Sequence, residues 1–390
     1  MSEKEQILQP LNKNFKEPKL RFLEFDKPYY CGKLHDVVIE ITRKNNNYDY
    51  PIMMISASKG FINQSEKYST DNAGTSKSKY IHLKKGELAY NHGNSKVKKY
   101  GAVFMLEHDN ALVPFVYHCF SINKNQNSKY WAYYLNTIRH DRYLRKIVCS
   151  TARLDGLLNI SSEDYFKMPV NYPELEEQSK ITRFLDLLYR KIELIEAKIN
   201  TLKKYKKGIK NTALKHIVLH GEKKNFLGMF DEYKEINKNN YPQYTVGKHG
   251  LIKIDDINYD LSKHSIFSER NLLIGIGIEE ITVSIKDKGC VSPVYTVYSI
   301  NESLNDNYFY WFLKDLLIIQ KRSITKKSTR RKFEIDKKEL NKCKISYVMD
   351  EFIKCSISTL ITISLKIRNF EQQLFLIKNI KSKILKDMFI

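Results

Sequence analysis

The stretch that decides the fold is EEQSKITRFLDLLYRKIELIEAKINTLKKYKKG, Glu176 to Gly208. Its apolar residues recur every seven positions in two interleaved series, which are Ile181, Leu188, Ile195, Leu202 and Ile209, and Leu185, Ile192 and Ile199. This spacing places them in one stripe along a helix, the pattern of a coiled-coil seam. Pro173 and the acidic residues after it suit a first helical turn, and Gly221 suits a stop. We therefore predict a long helix over 172–217, whose apolar seam needs a partner.

The same heptad pattern returns 175 residues later in the chain. The second seam consists of Leu360, Ile363, Ile367, Phe370, Leu374, Ile377 and Ile384. Even the interruption is shared, because Lys206 and Lys381 occupy the same seam position. The sequence therefore predicts a second long helix over 350–390, and the two helices can pair with each other.

The repeat extends upstream of both helices. VPFVYHCFSIN (Val113 to Asn123) resembles SPVYTVYSIN (Ser292 to Asn301), and KYWAYYL (Lys129 to Leu135) resembles NYFYWFL (Asn307 to Leu313). SKGFI (58–62) likewise aligns with KHGLI (248–252) in sequence. The segments rich in β-branched and aromatic residues predict short strands, whereas the Trp- and Tyr-rich segments predict helices. We expect a tandem of globule, helix, globule and helix, with a mixed α/β (α+β) fold in each globule.

Composition favours a polyanionic partner in the cytoplasm. Lys and Arg number 66 against 44 Asp and Glu, a formal charge of +22, which favours nucleic acid or an anionic surface. The sequence has no apolar run long enough for a membrane span, and its first residues lack the apolar core of a signal peptide. The 6 cysteines are scattered without a C-x-x-C pair, so they predict neither a disulfide framework nor a zinc site.

Catalytic motifs are missing from the sequence. It contains no phosphate-binding G-x-x-x-x-G-K-[ST], no Asn/Asp-Pro-Pro-aromatic loop, no H-E-x-x-H and no G-x-S-x-G. GIGIEE (275–280) lacks the third glycine of a dinucleotide loop, so we predict a buried strand with close backbone approach. Acidic pairs at Asp255-Asp256 and Glu279-Glu280 could hold Mg²⁺ in a nuclease, but paired surface acids are more often solvated.

Two basic, hydroxyl- or amide-containing segments are candidates for nucleic-acid contact. KRSITKKSTRRK (Lys321 to Lys332) has seven cations in twelve residues, interspersed with hydroxyls that can bond phosphates. YNHGNSKVKKYG (Tyr90 to Gly101) combines amide side chains, which can read adenine, with lysines for guanine or phosphate. A solvated basic face and an ordinary hairpin loop are the respective alternatives.

These segments together resemble the specificity (S) subunit of type I restriction-modification systems. The resemblance lies in PKLRFLEF (18–25), GKLHDV (32–37), ISASKGFINQ (55–64), LKKGELAYN (83–91) and VSPVYTVYSI (291–300). The central YPELEEQSKITRFL (172–185) with LKKYKKG (202–208) resembles the conserved helix of that family. In the second half EEQ becomes EFI (351–353) and the proline is lost, which departs from the pattern.

The resemblance implies two target recognition domains, each reading half of an asymmetric DNA site, and two antiparallel helices that act as a spacer in a pseudo-two-fold repeat. The implied domains are 1–171 and 218–349, with spacer helices over 172–217 and 350–390. It implies no catalytic residue and no cofactor or metal in this chain. The implied partners are double-stranded DNA, two modification subunits that use S-adenosylmethionine, and a restriction subunit that uses ATP and Mg²⁺. Glu176, Glu177 and Gln178 are the expected docking residues for a partner subunit.

The side chains predicted to contact DNA lie in loops of both halves. They are Ser58, Lys59, Tyr90, Asn91, His92, Asn94, Lys96, Lys98, Lys99, Thr151, Arg153, Lys248, His249, Lys286, Lys326, Lys327, Ser328, Thr329, Arg330 and Arg331. A free-standing nuclease or methyltransferase with a duplicated reader is the alternative function, and a coiled-coil scaffold that does not touch DNA is another.

Overall fold

The computed structural model describes most of the chain. The described residues are 18–46, 49–57, 59–66, 78–93, 98–148, 158–232, 243–247, 250–254, 265–267, 271–276, 280–286, 289–291, 295–300, 304–327 and 333–389. They fall into two compact units. Unit 1 comprises Met1–Ile195 with Gln373–Ile390, and unit 2 comprises Glu196–Gln372.

The first half of the chain contains ten short strands and four α-helices among its described residues. The strands are β1 (Tyr30–Lys33), β2 (Val38–Glu40), β3 (Met53–Ser56), β4 (Gly60–Asn63), β5 (Ile81–Lys84), β6 (Leu88–Asn91), β7 (Ala102–Met105), β8 (Asn110–Val113), β9 (His118–Ile122) and β10 (Pro169–Tyr172). The helices are α1 (Ser128–Tyr134), α2 (Ile138–Ile147), α3 (Ser162–Phe166) and α4 (Leu175–His220), with 3₁₀ turns at Leu34–Asp36 and Gln64–Glu66.

Unit 1 is built on an antiparallel four-stranded sheet in the order β2-β9-β6-β7. Two-stranded pairs β1-β10, β3-β4 and β5-β8 are the other named strand pairs among its described residues. Trp131 and Tyr134 of α1 are fully buried in the main core, because the aromatic face of KYWAYYL packs onto the sheet side chains Leu88 and Phe120. A second core lies among β3, β5 and β8.

The second half contains the remaining elements. Its strands are β11 (Glu222–Asn225), β12 (Phe230–Glu232), β13 (Gln243–Gly247), β14 (Gly250–Ile254), β15 (Ser265–Phe267), β16 (Asn271–Ile276), β17 (Ile281–Lys286), β18 (Gly289–Val291), β19 (Tyr295–Ile300), β20 (Thr325–Lys326), β21 (Glu334–Ile335) and β22 (Lys344–Tyr347). Its helices are α5 (Phe226–Met229), α6 (Asp306–Tyr308), α7 (Lys314–Ile319), α8 (Lys321–Ile324), α9 (Lys337–Lys342) and α10 (Glu351–Met388), with a π-helical turn at Phe309–Leu313.

Unit 2 repeats the strand order of unit 1. Its sheet runs β12-β19-β16-β17, and β11 pairs with β22 just as β1 pairs with β10. The repeat reaches single residues, since Asn127 and Asn305 both cap the helix that follows through their side-chain oxygens. The predicted internal repeat and mixed α/β fold are therefore confirmed.

The two long helices are also confirmed, with shifted starts and ends. α4 begins at Leu175 rather than at 172, because Tyr172 belongs to β10 and pairs with Tyr30 of β1. It continues three residues past the predicted end and stops before Gly221, as predicted. A side chain at Gly221 would collide with the carbonyl oxygen of Ile217.

Within each unit, a part of α4 packs antiparallel against a part of α10. In unit 2 the ammonium of Lys203 lies 2.7 Å from Glu371, while Ala213 and Ile217 share a core with Ile353. In unit 1 the Lys381 ammonium lies 4.4 Å from the ring centroid of Tyr189. Eight predicted seam residues are buried and the others half-buried; the buried ones are Ile181, Leu185, Ile192, Ile195, Ile199, Leu360, Ile363 and Ile367.

A segment before β1 fastens the two helices in unit 1. We call residues 18–29 the strap. Its Leu20 amide donates to the carbonyl of Asp387 in α10 at 3.0 Å, and the Phe22 ring packs edge-on against Phe184 of α4 at 5.8 Å. In unit 2 α4 itself runs through Gly221 into β11, so the covalent chain makes the link that the strap makes in unit 1.

The GIGIEE segment begins inside a strand, as expected. Gly275 belongs to β16 and pairs with Tyr295 of β19. A Cβ atom at Gly275 would lie 2.7 Å from the Tyr295 ring, which is closer than van der Waals contact allows. The glycine therefore serves a close approach within the sheet.

Candidate nucleic-acid interface

The segment from Tyr90 to Gly101 is anchored to the fold at both ends. Tyr90 is fully buried, donates to the Tyr100 carbonyl at 2.7 Å and stacks on Tyr165 with ring centroids 4.4 Å apart. Gly101 has a φ of +80°, and a side chain there would collide with the Asn91 carbonyl oxygen. Tyr90 thus packs inside the domain, and its predicted contact with DNA has no support from its position.

Asn91 and His92 are likewise bonded within the domain. The Asn91 side-chain Oδ1 accepts a hydrogen bond from the Gly93 N–H at 2.9 Å, and its Nδ2 donates to the Ile55 carbonyl at 3.2 Å. His92 is 6% exposed, and its two ring nitrogens each lie 2.7 Å from a backbone carbonyl. Both side chains are therefore engaged in hydrogen bonds or close contacts within the domain.

The lysines of the first half differ in their exposure. Lys98 is half-buried and donates to the Asn136 carbonyl at 3.2 Å, and burial lowers its pKa. Lys59 and Lys99 are exposed, and the Lys99 ammonium lies 5.8 Å from the Tyr100 ring centroid. Among the described residues of this half, Lys59 and Lys99 are therefore the predicted contacts that could reach a phosphate.

The structure reveals a basic helix face that the sequence interpretation missed. Arg142, Arg145 and Lys146 of α2 are exposed, and none forms an ion pair with a described residue. They lie on the helix that leads to Cys149, whereas the prediction considered only the loop CSTARLDG. An i, i+3, i+4 spacing of cations within IRHDRYLRKI was the available signal.

In the second half the corresponding cations follow α7. Arg322 of α8, Lys326 and Lys327 are exposed, and Lys326 pairs with Glu334 at 3.4 Å. Exposed cations therefore follow the Trp-containing helical segment in both halves.

Several predicted contacts lie outside the described residues. They are Ser58, Asn94, Lys96, Thr151, Arg153, Lys248, His249, Ser328, Thr329, Arg330 and Arg331. Lys286 is the last residue of β17, and the structure describes its backbone but not its side chain. Their contacts with DNA stay predictions.

The EEQ segment forms an internal lock between α4 and the globule. Glu177 is 1% exposed and receives Arg21 Nε at 2.9 Å, Arg21 Nη2 at 2.8 Å and the Tyr29 hydroxyl at 3.1 Å. Gln178 is fully buried; its Oε1 accepts from the Asn127 N–H at 3.0 Å, and its Nε2 donates to the Pro173 carbonyl at 2.8 Å. Only Glu176 of the three is exposed. Glu177 and Gln178 are therefore internal, because their polar atoms bond to the strap and to residues 126–127 before α1, and their docking of a partner stays a prediction.

The strap also explains why the second half lacks EEQ. Ile353, at the position equivalent to Gln178, is fully buried against Ala213 and Ile217 of α4. The Phe352 ring lies 4.7 Å from the His216 ring. Where unit 1 places the polar strap, unit 2 has the last turns of α4, so apolar residues replace the acid and the amide.

The start of α10 has its own polar contact, which predicts a pH effect. Asp350 accepts the Ile353 N–H at 2.9 Å and lies 2.6 Å from His216 Nε2, and these two interactions lower its pKa. The stabilisation is present above the unfolded aspartate pKa of about 4 and is lost as pH falls through the lower folded value.

We expect Asp350→Asn to cost less than about 1 kcal/mol at pH 7, because the carboxylate is 40% exposed. Thermal unfolding of wild type and variant at pH 7 and at pH 3 measures the effect, and the difference should be smaller at the lower pH, which lies below the unfolded aspartate pKa. An equal difference at both pH values would contradict the role of the charge.

Neither a metal cluster nor a membrane helix occurs among the residues that the structure describes. No group of three His, Cys, Asp or Glu side chains is placed to hold a metal ion. No helix in the described part of the chain is long and apolar enough to cross a membrane.

A repeated sheet domain, exposed cations in each repeat and two paired long helices make up a duplicated architecture. Residues 33–204 match the family model described as the type I restriction modification DNA specificity domain. The match covers most of the first globule and the first part of α4, which together are less than half of the chain.

A solved S subunit structure has the same fold, and a second solved structure is a weaker match. A type I restriction-modification S subunit from M. genitalium is 14% identical, with a TM-score of 0.58 over 96% of this chain and 99% of that chain. An HsdS subunit from Thermoanaerobacter tengcongensis is 12% identical, with a TM-score of 0.49 over 94% of this chain and 98% of that one. No curated protein sequence matches the chain significantly.

Proposed function

We propose that the chain is the DNA sequence-recognition subunit of a type I restriction-modification complex and has no catalytic activity of its own. The observation that carries this proposal is the repeat of the β2-β9-β6-β7 sheet as β12-β19-β16-β17, each beside a part of the α4-α10 pair, in a chain with a specificity-domain match. Each globule reads one half of a bipartite, asymmetric DNA site. The charge of +22 supports a polyanionic partner.

The long helices set the distance between the half-sites in this proposal. α4 has 46 residues and α10 has 38, so they extend for about 70 Å and 57 Å at 1.5 Å per residue. A reader of two half-sites needs its recognition elements at a fixed separation, as dimeric DNA-binding proteins do.

The catalytic work belongs to partner subunits in the cytoplasm. Two modification subunits bind the chain and methylate adenine with S-adenosylmethionine, and a restriction subunit with ATP and Mg²⁺ completes the complex. Glu176 and the exposed apolar residues Leu187 and Leu194 of α4 are available for such docking.

A gel-shift experiment tests the function. The purified chain, with and without its modification subunit, is titrated against DNA that carries a site identified by methylome sequencing of the host. Selective binding by the complex supports the proposal. Absence of DNA affinity at any salt concentration would refute it, and nicking or methyl transfer by the lone chain would favour a free-standing enzyme.

The basic face of α2 predicts a salt-dependent contribution to binding. We expect the triple change of Arg142, Arg145 and Lys146 to Ala to weaken binding to all sequences similarly, because phosphate contacts carry no direct sequence information. The slope of log affinity against log salt should become shallower by about 0.9 for each lost contact, so by about 2.7 for three. Titration at several salt concentrations measures this slope.

The matched control changes two exposed lysines elsewhere in unit 1. Lys84 and Lys85 lie at the turn before β6, at the opposite end of that strand from His92. Their double change to Ala should leave the slope nearly unchanged. Equal slopes for the two variants would remove α2 from the DNA interface.

A further inference from the structure

His92 joins three separate backbone segments of unit 1. Its Nδ1 lies 2.7 Å from the Leu158 carbonyl oxygen, and its Nε2 lies 2.7 Å from the Val116 carbonyl oxygen. Its own carbonyl accepts the Leu158 N–H at 3.0 Å. The end of β6, the turn before β9 and the residues before α3 therefore meet at one buried ring.

His118 forms a second link to the same segment. Its Nε2 lies 3.1 Å from the Ile160 carbonyl, and its ring stacks on His92 with centroids 5.1 Å apart and 14° between the planes. Burial first, and then the neighbouring His92, lower the pKa of His118 to about 4. The neutral ring can donate from one nitrogen, which suits a single carbonyl partner.

The bridge lies beside the segments that carry predicted DNA contacts. Residues 94–97 follow directly after His92 and Gly93, and residues 149–157 end directly before Leu158. The Asn91 amide further ties this end of β6 to Ile55 in β3. The described residues that flank these stretches, His92–Gly93 and Leu158, thus share one set of hydrogen bonds.

We propose that His92 and His118 are positioning residues for sequence readout by the first globule. They hold Leu158–Ile160 against the end of β6, and so fix the described residues that flank both stretches of predicted DNA contacts. This inference rests on the proposed function. A positioning role for His92 replaces the predicted direct contact with DNA. The His92 ring is 6% exposed and both of its nitrogens lie beside backbone carbonyls, so no polar edge of the ring is open to a base. Readout needs such support, since donor and acceptor atoms must be held close to their productive geometry.

The test uses substitutions that keep an aromatic ring and remove its hydrogen bonds. His92→Phe removes two side-chain contacts with carbonyls, and His118→Phe removes one. The complex with the modification subunit is assayed for methylation of the wild-type site and of sites with single base changes in either half. We expect discrimination against wrong bases to fall about tenfold in one half-site, the scale of one base-pair contact, and to stay unchanged in the other.

His140→Phe is the matched control. His140 is also buried in this aromatic cluster, but its ring nitrogen bonds the Tyr165 hydroxyl at 3.2 Å rather than the Leu158–Ile160 backbone. We expect it to change the melting temperature without relaxing discrimination. Equal discrimination in the His92 and His140 variants, whether relaxed in both or in neither, would overturn the proposal.

Two further outcomes of this experiment would also decide against a proposal. If His92→Phe does not fold, His118→Phe and His140→Phe, which each remove one hydrogen bond, are compared in its place, and equal discrimination by these two overturns the proposal. If the wild-type complex itself shows no sequence preference, the proposed function fails and not the positioning role alone.

Discussion

Removal of one heptad from each long helix is expected to abolish methylation of the original site and to leave both half-site sequences unchanged. The segments to delete are Ile199–Tyr205 of α4 and Leu365–Glu371 of α10, which face each other in unit 2 through Lys203 and Glu371. Seven residues are nearly two helical turns, so the apolar seam returns to its face within about 20°. The pair shortens by about 10 Å, or about three base pairs of B-DNA.

The effect should be large because spacing and rotation change together. Three base pairs turn the DNA by about 100°, whereas the helix face turns by only about 20°. The second half-site would therefore lose its contacts at the old spacing, a loss on the order of hundredfold or more. Methylome sequencing of cells that carry the variant measures the spacer and both half-sites.

Two controls separate the spacer from general damage. Glu371→Ala removes the Lys203 ion pair without changing the length, and it should keep the original spacer. A deletion from α4 alone misaligns the seam and should destabilise the fold. Methylation at the original spacing by the double-deletion variant would refute the spacer role of the helices.

Features with a local signal were predictable from the sequence. The heptads placed both helices because a seam needs only residues seven apart, and Gly221 marked the end of α4. The repeat was also visible, since aligned segments such as KYWAYYL and NYFYWFL keep their aromatic residues. The predicted start of α4 was three residues too early, because Tyr172 is the last residue of β10. It pairs there with Tyr30 of β1, which is distant in the sequence.

Features that depend on distant partners were not predictable. Glu177 looked like an exposed docking residue because its partner Arg21 lies 156 positions away. His92 looked like a base-contacting residue because its carbonyl partners, at Val116 and Leu158, come from other segments. The spacing of residues along the chain cannot reveal such long-range contacts. Because of these contacts, Glu177 and His92 are internal, although the sequence suggested that they lie on the surface.

Loss of the Glu177 carboxylate is expected to destabilise unit 1 strongly. Glu177→Ala leaves the Arg21 guanidinium, which is 13% exposed, and the Tyr29 hydroxyl without their acceptor at the start of α4. Breaking a buried ion pair by removing one partner costs about 3 to 5 kcal/mol. For a unit of this size we expect a fall in melting temperature on the order of 10 °C, measured by calorimetry of the purified chain.

The neighbouring Glu176 supplies the matched control, because it is exposed in the same helical turn. Glu176→Ala should change stability by less than about 0.5 kcal/mol, as substitutions at open surface positions do. It is also the variant that tests docking, since a partner subunit can reach this carboxylate. A double-mutant cycle with Arg21→Ala isolates the pair: the second change should cost little once Glu177 is gone. Glu177→Ala could instead leave the melting temperature unchanged and weaken binding of the modification subunit. That result would make the EEQ segment a docking surface, because a partner can bind the Glu177 carboxylate only if Arg21 and Tyr29 of the strap do not.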